Sequence, residues 1–241
     1  MVSIEKILLK HFKGNYGIIH RERRTKMKVI DLTHVIAEVM PVYPGTEPPK
    51  LAQANTYEVD GFKETLMTMF SHTGTHMDPP AHLFGHRTTL DKMDITQFVG
   101  KALVIDCRDL ANGEQVSIDR IKKYGAKADE AEFILFNYGW DKKWGTDDYF
   151  GDYPYVSDEV VDFLIAGNKK GVGMDVIGID PIPDENLTIH KKLFTNNEIV
   201  VIENLMNLDQ CGDDLFWFFA LPLKWDNADG SPIRALAFWE D

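Results

Sequence analysis

The chain has 241 residues, 44% of them apolar, 11% aromatic and 27% charged, a composition that fits a folded globular protein and excludes extensive disorder. A formal charge of −12 repels phosphate backbones and anionic membrane surfaces, so neither nucleic acid nor membrane is an expected partner. No apolar run approaches the ~20 residues that cross a bilayer, and Ile7-Leu8-Leu9 is too short for a signal-peptide core, so a cytoplasmic location is expected.

Residues 1–26 hold seven Lys/Arg against Glu5 and Glu22, whereas the rest of the chain is strongly acidic. That break predicts a basic N-terminal extension over 1–26, outside a main domain over 27–241. From there the punctuation is that of one mixed α/β domain, with strand-like runs over 28–33, 64–72, 101–106, 132–138, 171–177, 198–203 and 215–221, enough for a sizeable mixed sheet or barrel. Helices are predicted from Ser117 to Tyr124, from Ser157 to about Ala166 and through Leu187 to Phe194. Ser157 can cap the second of these, with Asp158 and Glu159 complementing its dipole. Cys107 and Cys211 stand far apart and in no metal-binding spacing, so reduced thiols in or near the core are expected. His34, His86 and the Asp147-Asp148 pair lack partners at ligand spacing and read as surface or loop polar groups.

Chemistry concentrates in Ser71-His-Thr-Gly-Thr-His-Met-Asp-Pro-Pro-Ala-His82, and four of the eight histidines fall between 72 and 86. Gly74 and the Pro79-Pro80 pair argue against a helix. On an extended strand the even positions share a face, which points His72, His76, Asp78 and His82 the same way. A straight strand would hold His72 and His76 roughly 13 Å apart at ~3.3 Å per residue, so Gly74 is expected to supply a bend. Imidazole nitrogen and carboxylate oxygen suit a divalent ion, zinc first, with manganese or iron as competitors. Three protein ligands, His72, His76 and Asp78, leave a position for water, whose activation is hydrolase chemistry. His82, set apart by two prolines, is the expected general acid/base. There is no GxSxG, GxGxxG or P-loop motif.

The run His72-Thr-Gly-Thr-His76-Met-Asp78-Pro-Pro-Ala-His82 resembles the HxGTHxDxPxH signature of the metal-dependent cyclase family, which includes formamidase and isatin hydrolase branches. The resemblance extends to Asp31-Leu-Thr33, Tyr43-Pro-Gly45, Gln97-Phe-Val-Gly100, Tyr138-Gly-Trp140, Ala220-Leu-Pro-Leu223 and Ala228-Asp-Gly-Ser-Pro232-Ile-Arg234, and has no counterpart for residues 1–26. It implies a swivelling β/β/α fold, a homodimer or higher homo-oligomer, and a small-molecule substrate. In the formamidase branch, which belongs to tryptophan catabolism, the two motif histidines and the aspartate bind one metal. The aspartate bridges to a second, and the last histidine is the acid/base.

By the same resemblance His190 and Glu203 would serve the second ion. Their separation is about one residue longer than the pattern, to be absorbed at Thr195-Asn-Asn197. Glu203 also ends Ile199-Val-Val-Ile202, a strand that reads as buried on both faces, where a carboxylate is costly unless paired or metal-bound. Tyr43 stands where the formamidase branch has tryptophan, which belongs to the substrate pocket. Phe84, Trp140 and Trp144 are further pocket candidates.

The expected activity is hydrolysis of a non-peptide C–N bond, in a linear aryl-formamide resembling N-formylkynurenine or in a small cyclic amide, by metal-activated water. The motif leaves open a cyclase or dehydratase using the same metal, and a non-catalytic metal- or ligand-binding protein. A binding protein has no need of a proline-positioned base, so His82 favours an enzyme.

Overall fold

The computed structural model describes residues 27–240; the predicted basic extension lies outside the described residues. In chain order the strands are β1 (Lys28–Asp31), β2 (Lys50–Asn55), β3 (Glu64–Thr68), β4 (His76–Asp78), β5 (Val99–Asp106), β6 (Gln115–Val116), β7 (Phe133–Asn137), β8 (Tyr155–Val156), β9 (Gly171–Met174), β10 (Val200–Glu203), β11 (Phe216–Pro222) and β12 (Ser231–Trp239). The α-helices are α1 (Tyr57–Asp60), α2 (Ile118–Lys122), α3 (Ala126–Glu130), α4 (Asp158–Ala166) and α5 (Thr188–Phe194). Among the described residues no helix is long and apolar enough to cross a membrane.

Seven strands close into a mixed barrel in the order β12-β11-β5-β7-β9-β10-β4, because β4 pairs with β10 on one edge and with β12 on the other. β5, β7, β9 and β10 are mutually parallel, and helices link them. β11, β12 and β4 complete the ring antiparallel, and β1 adds to β12. The two-residue side-chain period then sorts each strand into two cores. Ala102, Val104, Phe133, Leu135, Val200 and Ile202 join Met77, Phe218 and Ala235 in one. Leu103, Ile105, Ile134, Phe136, Val172 and Val201 form the other with Ile121 of α2, Val160 and Leu164 of α4, and Leu193 of α5. Strands buried on both faces explain why 101–106, 132–138 and 198–203 read as unbroken apolar runs.

Several expectations need correction. The strand predicted over 64–72 ends at Thr68, and 69–75 is irregular, so His72 is not on a strand. β3 pairs with β2 in a separate ribbon and is exposed along its length. Ser157 occupies the N-cap position of α4 but makes no side-chain cap bond; its carbonyl accepts from Val160 and Val161 N–H as the helix begins. His34 is buried and stacked on Trp144, with ring centroids 3.9 Å apart, because the loop after β1 folds back across the domain. Cys107 and Cys211 are buried free thiols, as the spacing implied.

Phe133 is fully buried, with its ring centroid 5.2 Å from that of Phe218 across the barrel. Phe133→Ala should cost about 3–5 kcal/mol, read as a lower urea midpoint with an unchanged slope.

Candidate metal centre

β4 is short, yet it does two things at once. Met77 enters the barrel core, so His76 and Asp78, one residue to either side, face the opposite way. β10 repeats this parity: Val200 and Ile202 point inward, Val201 and Glu203 outward. The antiparallel register sets Glu203 directly opposite His76, and the His76 Nε2 to Glu203 Oε2 distance is 3.5 Å. His76 Nε2 is also 3.4 Å from Asp78 Oδ1. Two adjacent strands thus build an imidazole and two carboxylates into the outer barrel wall, all three side chains buried.

The other groups arrive from loops and from α5. Gly74, at φ +65°, bends the chain so that His72 turns back over β4. His72 Nδ1 lies 2.5 Å from Asp78 Oδ1. Gly230 packs against the His72 ring so closely that a Cβ there would overlap it. Pro80–His82 forms a 3₁₀ turn that holds the His82 ring with its centroid 4.0 Å from that of His72. On α5, His190 Nε2 stands 3.5 Å from both Asp78 Oδ2 and Glu203 Oε1. Asp78 therefore turns one oxygen toward His72 and His76 and the other toward His190.

The structure gathers His72, His76, Asp78, His82, His190 and Glu203 in one place, though not through the shared strand face expected. Of the four motif residues only His76 and Asp78 owe their convergence to strand parity; His72 comes by the glycine bend and His82 by the proline turn. Donor atoms lie within 4.8 Å of one another in two groups, His72-Asp78-His82 and His76-Asp78-Glu203.

Outer partners fix the rings. His76 Nδ1 donates to Gly74 O at 2.8 Å, leaving Nε2 to face the carboxylates. His190 Nδ1 donates to Asp180 Oδ2 at 2.6 Å, and Asp180 also accepts from the Ile189 and His190 N–H groups. His190 Nε2 is buried without a hydrogen-bond partner, the arrangement of an imidazole presented to a cation. Asn204, next to Glu203, donates from Nδ2 to Gly74 O at 2.9 Å and accepts at Oδ1 from Tyr149 O–H at 2.6 Å.

The electrostatics follow from burial. Desolvation and then the nearby Asp78 carboxylate push Glu203 up to about 8. For His72 burial opposes the charged form, but attraction to Asp78 outweighs it and raises the ring to about 9. His190 reaches about 10 against the same burial, through its hydrogen bond to Asp180 and then its nearness to the Asp78 and Glu203 carboxylates. Asp78 is held well below the usual carboxylate range, burial being overcome by His72 and then His76. His76 is lowered by burial, and His82 falls to about 4 for the same reason, with Asp78 opposing. Two carboxylates and several imidazoles with free nitrogens converging in a buried pocket form a donor set suited to a divalent ion.

These groups form the floor of a cavity of about 460 Å³ whose wall includes Tyr43, Thr46, Phe70, Ile177, Leu187 and Asp229. Tyr43 takes its predicted place there. Phe84 and Trp140 do not line the cavity. Phe84 packs on the core beneath the helices, while Trp140 is buried and donates from Nε1 to Tyr149 O. The Tyr138-Gly-Trp140 run earns its place through its backbone: Tyr138 and Trp140 N–H both donate to buried Asp175 at 2.9 Å. Trp144 is core packing against His34 and Tyr149. Sequence reasoning missed Asp180, Asn204 and Asp229. Asp180 and Asn204 adjoin predicted elements, but nothing local marks an outer carboxylate or amide that acts across the fold.

Residues 30–181 match the family model described as putative cyclase. The kynurenine formamidase of Bacillus anthracis is 30% identical over 217 residues, covering 87% of this chain and 96% of that protein. An isatin hydrolase solved with the product analogue thioisatinate aligns with a TM-score of 0.76 at 25% identity, over 89% of this chain and 93% of that one. Isatin hydrolase A from Labrenzia aggregata, bound to benzyl benzoate, gives a TM-score of 0.76 at 26% identity, over 89% and 94% of the two chains.

A cation bound at this site would have to displace protons. With His72 at about 9, His190 at about 10 and Glu203 at about 8, each is protonated at neutral pH before metal binds. Affinity for Zn²⁺ or Mn²⁺ should therefore rise with pH from 6 to 8, by roughly tenfold per unit for each proton displaced. Calorimetry in buffers of different ionisation enthalpy should register the released protons; a pH-independent affinity would contradict the assignment.

Proposed function

The chain belongs to the putative cyclase family, and we propose that its domain over 27–241 is a divalent-metal-dependent hydrolase of non-peptide C–N bonds, acting on a linear aryl-formamide or a small cyclic amide. The observation that carries this reading is Asp78, one of whose oxygens faces His72 and His76 and the other His190, on the floor of a ligand-sized cavity. His72, His76 and Asp78 would hold one ion, and Asp78, His190 and Glu203 a second. Zinc suits the mixed imidazole and carboxylate donors best, with manganese as the alternative. When bound, such an ion polarises a substrate carbonyl and acidifies water.

The chain's own residues supply the rest. His82 is lowered to about 4 by burial, so its imidazole is neutral at pH 7 and able to accept a proton from the attacking water. It then returns that proton to the leaving nitrogen as the C–N bond breaks. A formamide yields formate and an aryl amine; a cyclic amide yields a ring-opened amino acid. Ile177, Leu187 and Phe70 give the cavity apolar wall for an aromatic ring, and Tyr43 offers a stacking face with a hydroxyl at its edge.

His82→Ala should lower turnover of N-formylkynurenine or isatin by ~10²-fold or more while leaving metal content by elemental analysis unchanged. Near-full rate would remove His82 from the mechanism, and a lost ion would make it a ligand. Asp78→Ala should lose metal and activity together.

A further inference from the structure

The acidic groups lining the cavity are Asp78, Asp180, Glu203 and Asp229, and among the described residues no Lys or Arg lines it. Three of these acids are committed. Asp78 and Glu203 face the imidazoles at the floor, and Asp180 is saturated by two backbone N–H groups and His190 Nδ1. Asp229 is different. Its side chain is 48% exposed, and Oδ2 has Ser71 Oγ at 3.3 Å and His72 Nε2 at 3.5 Å.

Its position is built rather than incidental. The preceding Ala228 is pinned at both backbone groups: its N–H donates to Asp91 Oδ1 and its carbonyl accepts from Leu90 N–H. The following Gly230 is the residue whose hydrogen-only side lets the loop press against the His72 ring. The carboxylate is thus held at the cavity wall beside His72, on a turn anchored through Ala228 and Gly230.

We propose that Asp229 is a specificity-determining residue that makes this cavity discriminate by charge, accepting aryl amides whose net charge beyond the scissile bond is zero or positive and disfavouring those whose net charge there is negative. The inference rests on the hydrolase reading above for its substrate class. Its physical basis is separate: on the Asp229 side of the cavity a substrate carboxylate would meet a like charge and find no Lys or Arg among the described lining residues, the imidazoles and any bound ion lying at the floor. Unit charges several ångströms apart at a partly desolvated surface differ in energy enough for roughly a tenfold effect on binding.

The test compares formanilide with 4-formamidobenzoate, which differ by one carboxylate remote from the amide, on the metal-loaded full chain. Their unreactive counterparts acetanilide and 4-acetamidobenzoate serve as binding probes in calorimetry. Formanilide should be favoured by roughly tenfold or more in kcat/KM, chiefly through KM, and acetanilide should bind more tightly in the same sense. Asp229→Asn should shrink both preferences at least threefold, whereas Asp214→Asn, on the exposed surface away from the cavity, should leave them in place.

Equal handling of the two charge types by the unaltered chain overturns the proposal, as does a preference that Asp229→Asn leaves intact. Loss of metal from Asp229→Asn would instead make Asp229 a support for His72 and overturn the charge-filter role. If neither formamide is hydrolysed but the probes still show an Asp229-dependent preference, the hydrolase reading fails and the charge filter stands.

Discussion

Asp78 and Glu203 are buried on neighbouring strands of the barrel wall, and the rest of the site is organised by their need for positive charge. Desolvation makes two adjacent carboxylates costly, and the barrel offers them no escape. Met77 and Ile202, the residues that fix the parity of β4 and β10, are locked in the inner core, so neither strand can rotate its acid to solvent without exposing an apolar side chain. In the described structure the compensation comes from Glu203 itself, whose carboxyl is pushed toward its neutral form, and from His72 and His190, whose rings are raised toward the protonated form. Those same nitrogens are the ones a divalent ion would claim.

Placing a cation also requires that the rings present lone pairs in the right direction. Two of the floor imidazoles have their far nitrogen tied: His76 to Gly74 O, and His190 to Asp180. Gly74 O is itself shared, since Asn204 donates to it as well, and Asn204 is in turn held by Tyr149. Thr75 adds a further tie, donating to Asn204 O while accepting from His34 N–H. The loop before β4 and the residue after β10 are therefore cross-linked by hydrogen bonds among buried groups, which makes the spacing of His76 and Glu203 a property of the fold rather than of two independent side chains.

The short-range part of this design was legible in the sequence. His72, His76, Asp78 and His82 fall within one run, Gly74 sits where a bend was needed, and Glu203 closes an unmistakably apolar strand. The long-range part was hidden. β4 has three residues and β12 carries Pro232 and Arg234, so neither reads as a strand, yet their pairing closes the barrel. Trp140 and Phe84 read as pocket aromatics because large rings serve packing and binding equally well; burial alone separates the two. Asp180 is indistinguishable in sequence from a loop aspartate, and its meaning comes from α5 placing His190 over it.

The separation of His190 and Glu203 shows why the geometry tolerates a length that a motif does not. His190 is fixed by α5, whose Leu193 and Phe194 are buried, and by Asp180; Glu203 is fixed by the register of β10 against β4. The five residues between α5 and β10 serve only to connect them. Arg87, five residues beyond His82, donates to Thr195 O and Asn197 O and pairs with Glu198, while Asn197 Nδ2 donates to Leu193 O at the end of α5. The connection is thus clamped to the outside of the site. An extra residue there lengthens a loop that has its own anchors, and loop length costs little beyond closure entropy. The positions of His190 and Glu203 do not feel it, because each is set by an element that reaches the core independently.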